Sequence, residues 1–325
     1  MKKNRINRRN FIQRSSLAAA AISAGSLLPV ACTSRKSITA KFPSRILGKT
    51  GERISLLGYG GGSQFMRMPD GEWEPHLEHA LESGINYFDT ASTYGAENAK
   101  PSEERFGEIL PVHRKNIILL TKIHDRDPEK ASVEFERSLK RLKTDYVDIL
   151  LIHAITPDDT LIDIEKGVYK VVSELKKQKT VRYIGFSSMD SAERSRELIE
   201  NLDFDVTLLA MNPTSYGNFV DIALPAARKK DLGIIAMKVM RDIVNVYAQP
   251  KELIEYAWNL EGVHCALVSH TGMDPLKENI SLAIEYKKQL RVTNNSYELE
   301  KRLRHLAGPQ HLVYARPGYR DGFLV

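Results

Sequence analysis

Asp89 and Tyr94 lie in the segment DTASTYG, Lys122 closes the apolar run NIILLTK, and His153 closes VDILLIH. Together these residue types can move a proton to or from a carbonyl oxygen. A phenol titrates near ~10 in water, so Tyr94 donates poorly at neutral pH unless a cation stabilises its phenolate. Lys122 can be that cation, Asp89 can pair with the ammonium and fix it, and His153 can hydrogen-bond the oxygen of a bound carbonyl. Each residue alone has a plainer reading, as a helix cap, a packed ring, a surface charge or a core imidazole. Their order, each at or just past the end of a β-like run, makes them a set.

For the four to meet, the runs that carry them must be neighbouring parallel strands. Short β-rich runs end at Asp89, Lys122, His153, Ser187, Asn212, Lys238 and Ser269, and Ile54 to Gly60 supplies one more at the start. The stretches between them read as amphipathic helices. That alternation predicts an α/β fold, a (β/α)8 TIM barrel, with its site at the C-terminal face of the strands. RILGKTGERIS predicts a β-hairpin ahead of the barrel, with Lys49, Thr50 and Gly51 in its turn. A helix is expected over Ala131 to Lys143, started by Asp127-Pro128 and burying a stripe of Val133, Leu139 and Leu142. LIDIEKGVYKVVSELKKQK and PLKENISLAIEYKKQL have the same character. The first helix is expected to begin near Glu74, with His76 and His79 exposed on it. No HExxH pattern occurs, so no metal site is expected; Cys265, in CALVS, reads as core.

From about Arg45 to Asn279 the chain resembles the aldo/keto reductases. The resemblance is carried by RILGKTGERISLLGYGG, DTASTYG, SEERFGEIL, SLKRLKTDYVDILLIH, VRYIGFSS and DPLKENI. It implies a (β/α)8 barrel, a nicotinamide cofactor as hydride source, and a catalytic tetrad of Asp89, Tyr94, Lys122 and His153. It also implies cofactor contacts from Gly61 and Gly62, Ser187 and Ser188, Met237 and Lys238, and Ser269, Gly272, Glu278 and Asn279. Several positions depart from the family pattern. Ser188 stands for the Asn of a Ser-Asn pair, Leu208 for a Gln, Met237 for a stacking aromatic, and Ser269 and Pro275 for a basic pair that meets a 2'-phosphate. The cofactor therefore stays open between NAD and NADP. GYGGGS is not a Rossmann fingerprint, because Ser63 takes the place of the last glycine.

The chain has 325 residues and a formal charge of +6. Lys2, Lys3, Arg5, Arg8, Arg9 and Arg14 account for that excess, so the remainder is neutral and gives no basic face for nucleic acid. NRRNFIQ, followed by an apolar stretch from Leu17 to Ala31, resembles a twin-arginine export signal. LLPVAC resembles a lipoprotein box that would make Cys32 a lipid anchor, with cleavage to a soluble form as the alternative. The expected organisation is a signal over 1–31, a tether over 32–44, the barrel over 45–295, and a C-terminal helix and tail over 296–325. Location in the cell envelope follows, with the membrane met only through Cys32. An exported reductase meets no free pool of reduced nicotinamide, which suggests a retained cofactor recharged within each cycle and a small carbonyl or sugar-like substrate. Arg67, Arg241, Arg316 and the tail HLVYARPGYRDGF are candidates for the pocket wall. Two other functions stay open: a Schiff-base lyase using Lys122 or Lys238, or a binding protein with negligible turnover.

Overall fold

The computed structural model describes residues 42–95, 99–288 and 296–322. The expected export signal, Cys32 and the tether as far as residue 41 lie outside the described residues, as do residues 96–98 of the loop after Tyr94. Phe42 and Pro43, expected in the tether, are already buried, Phe42 against the backbone of Gly84.

A hairpin of β1 (Ser44–Ile46) and β2 (Arg53–Ser55) opens the domain. Eight parallel strands then close into a barrel: β3 (Leu57–Gly60), β4 (Tyr87–Asp89), β5 (Ile118–Ile123), β6 (Val147–Ile155), β7 (Val181–Ser188), β8 (Val206–Ala210), β9 (Gly233–Met237) and β10 (Cys265–Val268). Each strand pairs with its sequence neighbour, and β10 pairs back onto β3. Both faces of these strands are covered, so β5 and β8 are apolar or buried along their whole length rather than alternating. The run Ile54 to Gly60 is divided: Ile54 and Ser55 belong to the hairpin, and only Leu57 onward enters the barrel. The hairpin plugs the N-terminal end, where the buried Leu47 side chain packs on Gly233 so closely that a Cβ there would come within 2.6 Å of its Cγ.

Helices cover the outside. Asp127 caps the helix Pro128–Arg141 by accepting from the amides of Glu129 and Lys130 at 3.1 and 3.0 Å. Of the stripe expected here, Leu142 is buried and Leu139 packs against the core, but Val133 is 64% exposed, and Ala131, Glu134, Phe135 and Ser138 face inward. A carboxylate takes the inner face because Glu134 accepts from the amides of His124 and Asp125, both at 3.0 Å, and so fastens the loop after β5. LIDIEKGVYKVVSELKKQK forms two helices, Leu161–Lys166 and Val168–Lys177, divided at Gly167. A short helix, Ser63–Met66, precedes the expected first one, which spans Trp73–Glu82. His76 is buried, not exposed. Its Nε2 donates to the Gly272 carbonyl at 3.0 Å, so its Nδ1 is left to accept from the Tyr59 hydroxyl at 2.7 Å. Cys265 lies in the core.

Candidate active site

β4, β5 and β6 are adjacent, and their C-terminal ends bring Asp89, Lys122 and His153 to one mouth. Tyr94 joins from the loop after β4. Lys122 is fully buried and spends all three N–H bonds: on Asp89 Oδ1 at 2.5 Å, the Thr90 carbonyl at 2.9 Å and the Tyr94 hydroxyl at 3.1 Å. An ammonium so committed has no lone pair for Schiff-base attack. Asp89 Oδ2 is buried with no hydrogen-bond partner among the described residues.

His153 sits at a bulge rather than at a simple strand end. The β6–β7 register shifts between Ile152 and Ile155, and Ala154 takes a left-handed φ of 51°. Two serines of β7 hold this bulge. Ser187 accepts from the Ala154 amide and Ser188 donates to the Ile155 carbonyl, both at 2.9 Å. The Ser188 proton is thereby committed to backbone, whereas the Ser187 hydroxyl keeps a proton to donate.

Burial dominates the electrostatics. It raises Asp89 to about 6 against the opposing pull of Lys122, and lowers His153 to about 4, with the Lys122 charge adding to the effect. His153 is therefore neutral at pH 7. Burial also raises the Tyr94 phenol, followed by the carboxylates Asp321 and Asp89. The Lys122 ammonium alone would ease ionisation of that phenol, but in this arrangement the low dielectric and two carboxylates outweigh it.

Asp321 is the residue that sequence reasoning missed. Asp321 is the one acidic residue of the candidate wall segment HLVYARPGYRDGF, but nothing in that composition says that its carboxylate reaches Tyr94. Asp321 Oδ2 accepts from the Tyr94 hydroxyl at 2.9 Å and lies 3.6 Å from His153 Nε2, too far for a hydrogen bond. Its Oδ1 pairs with Lys238 and accepts from Tyr319 at 3.2 Å. Against the cost of burial, Lys238 and His153 hold the Asp321 carboxyl well below its ordinary range.

A cleft of about 220 Å³ runs from this mouth between the loops after β3, β9 and β10. Of the expected cofactor contacts, Gly62, Met237, Lys238, Ser269, Glu278 and Asn279 line it. Gly61, Ser187, Ser188 and Gly272 do not. Gly61 is a packing glycine, since a Cβ there would come within 2.4 Å of Ser102 Oγ, and the Gly272 carbonyl is taken by His76. Arg241 bridges the cleft, donating to Ser63 Oγ at 2.9 Å and to Gln64, while Arg67 and Arg316 are exposed. Among the described residues, Asn279 Oδ1 at this cleft is buried without a partner, as are both ring nitrogens of His270, whose ring lies beside Tyr59 and His76. Such orphaned groups fit a polar, extended ligand such as a dinucleotide.

The model of the aldo/keto reductase family matches residues 56–307. The uncharacterized oxidoreductase YqkF of Bacillus subtilis is 36% identical over 253 residues, covering 64% of this chain and 80% of that protein. L-galactose dehydrogenase of Arabidopsis thaliana is 26% identical over 259 residues, covering 76% and 80%. Among solved structures, an aldo-keto reductase from Pseudomonas aeruginosa superposes with a TM-score of 0.64 at 26% identity, over 76% of this chain and 97% of that one. The holo form of an aldo-keto reductase from Bacillus halodurans, at 19% identity and a TM-score of 0.64 over 82% and 96%, shares the fold.

Proposed function

The chain belongs to the aldo/keto reductase family of oxidoreductases, and on that premise we propose that it interconverts a carbonyl and an alcohol, with Tyr94 as general acid and base. The observation that carries this reading is the contact of Lys122 Nζ with both Asp89, at 2.5 Å, and the Tyr94 hydroxyl, at 3.1 Å, at the barrel mouth. NAD or NADP, when bound, supplies or accepts the hydride. In reduction, Tyr94 releases its proton to the substrate oxygen, and the adjacent ammonium stabilises the phenolate left behind. Asp89 holds that ammonium in place. Neutral His153 is placed to orient the substrate oxygen by a hydrogen bond. Gly62, Met237, Ser269, Glu278 and Asn279 are the cleft residues that would hold the dinucleotide, and Asn279 Oδ1, without a partner among the described residues, suits an amino donor.

The test follows absorbance of NADH and of NADPH with a panel of aldehydes and ketones, for the native chain and Tyr94→Phe. Turnover that survives the substitution unchanged would rule out the assigned proton donor.

The envelope location, the lipid on Cys32, cofactor retention and a sugar-like substrate belong to the same proposal. The motifs of residues 1–32 support export, and a relative named for L-galactose supports a sugar. Denaturing the exported protein and weighing what it releases checks retention: stoichiometric NAD or NADP supports it, and an empty protein ends it.

A further inference from the structure

The substrate oxygen that takes a proton from Tyr94 has to sit within hydrogen-bond reach of its hydroxyl, and Asp321 Oδ2 already does, at 2.9 Å. The segment is seated closely: Gly322 has a φ of +79°, and a Cβ there would come within 1.8 Å of the Tyr94 ring. Turnover therefore requires the segment Tyr319–Gly322 to leave. Its departure strips Lys238 of its ion pair. The Lys238 side chain is only 11% exposed, held at the end of β9 in a left-handed backbone with φ 59°. Asp190 feels that charge but makes no hydrogen bond to it among the described residues. Lys238 has that exposure with the segment seated; a neutral substrate taking its place would cover Lys238 again without returning a carboxylate, which is costly, whereas one that brings its own anionic oxygen pair would restore the balance.

We propose that Lys238 is a substrate-binding residue, and that the cleft takes carbonyl compounds bearing a carboxylate, which displaces the Asp321 carboxylate from Lys238. The inference rests on the reading of Tyr94 as proton donor and deepens it by naming the substrate class. Asp321 then acts as an internal stand-in for substrate. Compounds without a carboxylate must open the segment uncompensated.

Two measurements on the full chain test this separately. The first is the rate at which trypsin cuts after Arg320, followed by mass spectrometry with butanoate, with the isosteric neutral butanamide, and with sodium chloride at matched ionic strength. Butanoate should speed cleavage about tenfold, the worth of one hydrogen bond to a charged group, and butanamide should not. Lys238→Met should be cut faster without any addition and lose the response, while Lys238→Arg keeps it. Equal effects of the two compounds, or none from butanoate, overturn the proposal. The second compares KM for succinic semialdehyde and butanal. The native chain and Lys238→Arg should favour the carboxylate about tenfold, and Lys238→Met should treat the two alike. Equal KM values in the native chain overturn the substrate class. Failure to turn over either aldehyde, with butanoate still releasing the tail, would end the reductase reading and leave the carboxylate site standing.

Discussion

The two ends of the barrel each bury a carboxylate against a cation, and they treat it differently. At the N-terminal end Asp148 has both oxygens engaged: Arg182 donates to one at 2.8 Å, and Arg114 and the Leu119 amide donate to the other at 2.5 and 3.0 Å. Arg114 also stacks on Tyr146, and Arg182 continues the network to Glu52 in the hairpin. At the C-terminal end Asp89 has one oxygen bonded by Lys122, and among the described residues the other has no partner and His153 Nε2 accepts or donates no hydrogen bond. The Asp148 carboxylate is saturated and ties strands together, although Arg114 Nε beside it is buried with no partner among the described residues. The Asp89 carboxylate is only half satisfied and lines the cleft, and bonding capacity left over where there is room for a ligand marks the end where a ligand belongs.

Substitutions at the two ends should separate catalysis from stability. Tyr94→Phe should lower kcat about 10³-fold, ~4 kcal/mol of barrier, while its denaturation midpoint moves less than that of the next variant; steady-state kinetics beside a urea titration checks both. Asp148→Ala should cost about 3 kcal/mol of stability by stranding Arg114 and Arg182, with KM unchanged in the fraction that stays folded. If Asp148→Ala were as active and as stable as the native chain, the contrast between the ends would collapse.

The Asp89 ionisation sharpens the comparison through pH. With burial raising it to about 6, Asp89 becomes neutral below that pH and its pairing with Lys122 is lost. kcat/KM for reduction should therefore fall on the acid side of about 6, and Asp89→Asn should lack that limb. Stability runs the other way. The folded state holds this proton more tightly than the unfolded chain does, so the contribution of Asp89 is full below its ordinary 3.8 and is lost as pH rises through about 6. The smallest effect belongs to neither end: Val133→Lys, on the exposed face of its helix, should change stability by less than about 0.5 kcal/mol, read from the same titrations.

The barrel was legible because strand runs recur at near-regular intervals and each ends on a distinctive residue. Asp89, Lys122 and His153 were legible with it, since adjacency in a parallel barrel follows sequence order. Asp321 was not, because the tail carries no periodicity and its place at the mouth depends on a tight approach of Gly322 to Tyr94. His76 misled because a His-Glu-His helix looks solvated until a tyrosine and a carbonyl are found at either edge of the ring. Val133 misled for the complementary reason: polarity alone does not tell which face of a helix is inward when a carboxylate, here Glu134, has backbone amides to accept from.

Closure of the sheet by β10 onto β3 ties the two ends of the barrel sequence together, with Ala266 opposite Leu57 and Val268 opposite Tyr59. During synthesis, a nascent chain that has emerged only through β9 leaves β3 and β9 as open edges. Such edges are sticky, and pairing across so long a stretch of chain is slow to find. The barrel is therefore most vulnerable to aggregation in the interval before its last strand is made, and a chaperone that shields β3 until then would act where the topology leaves the greatest need.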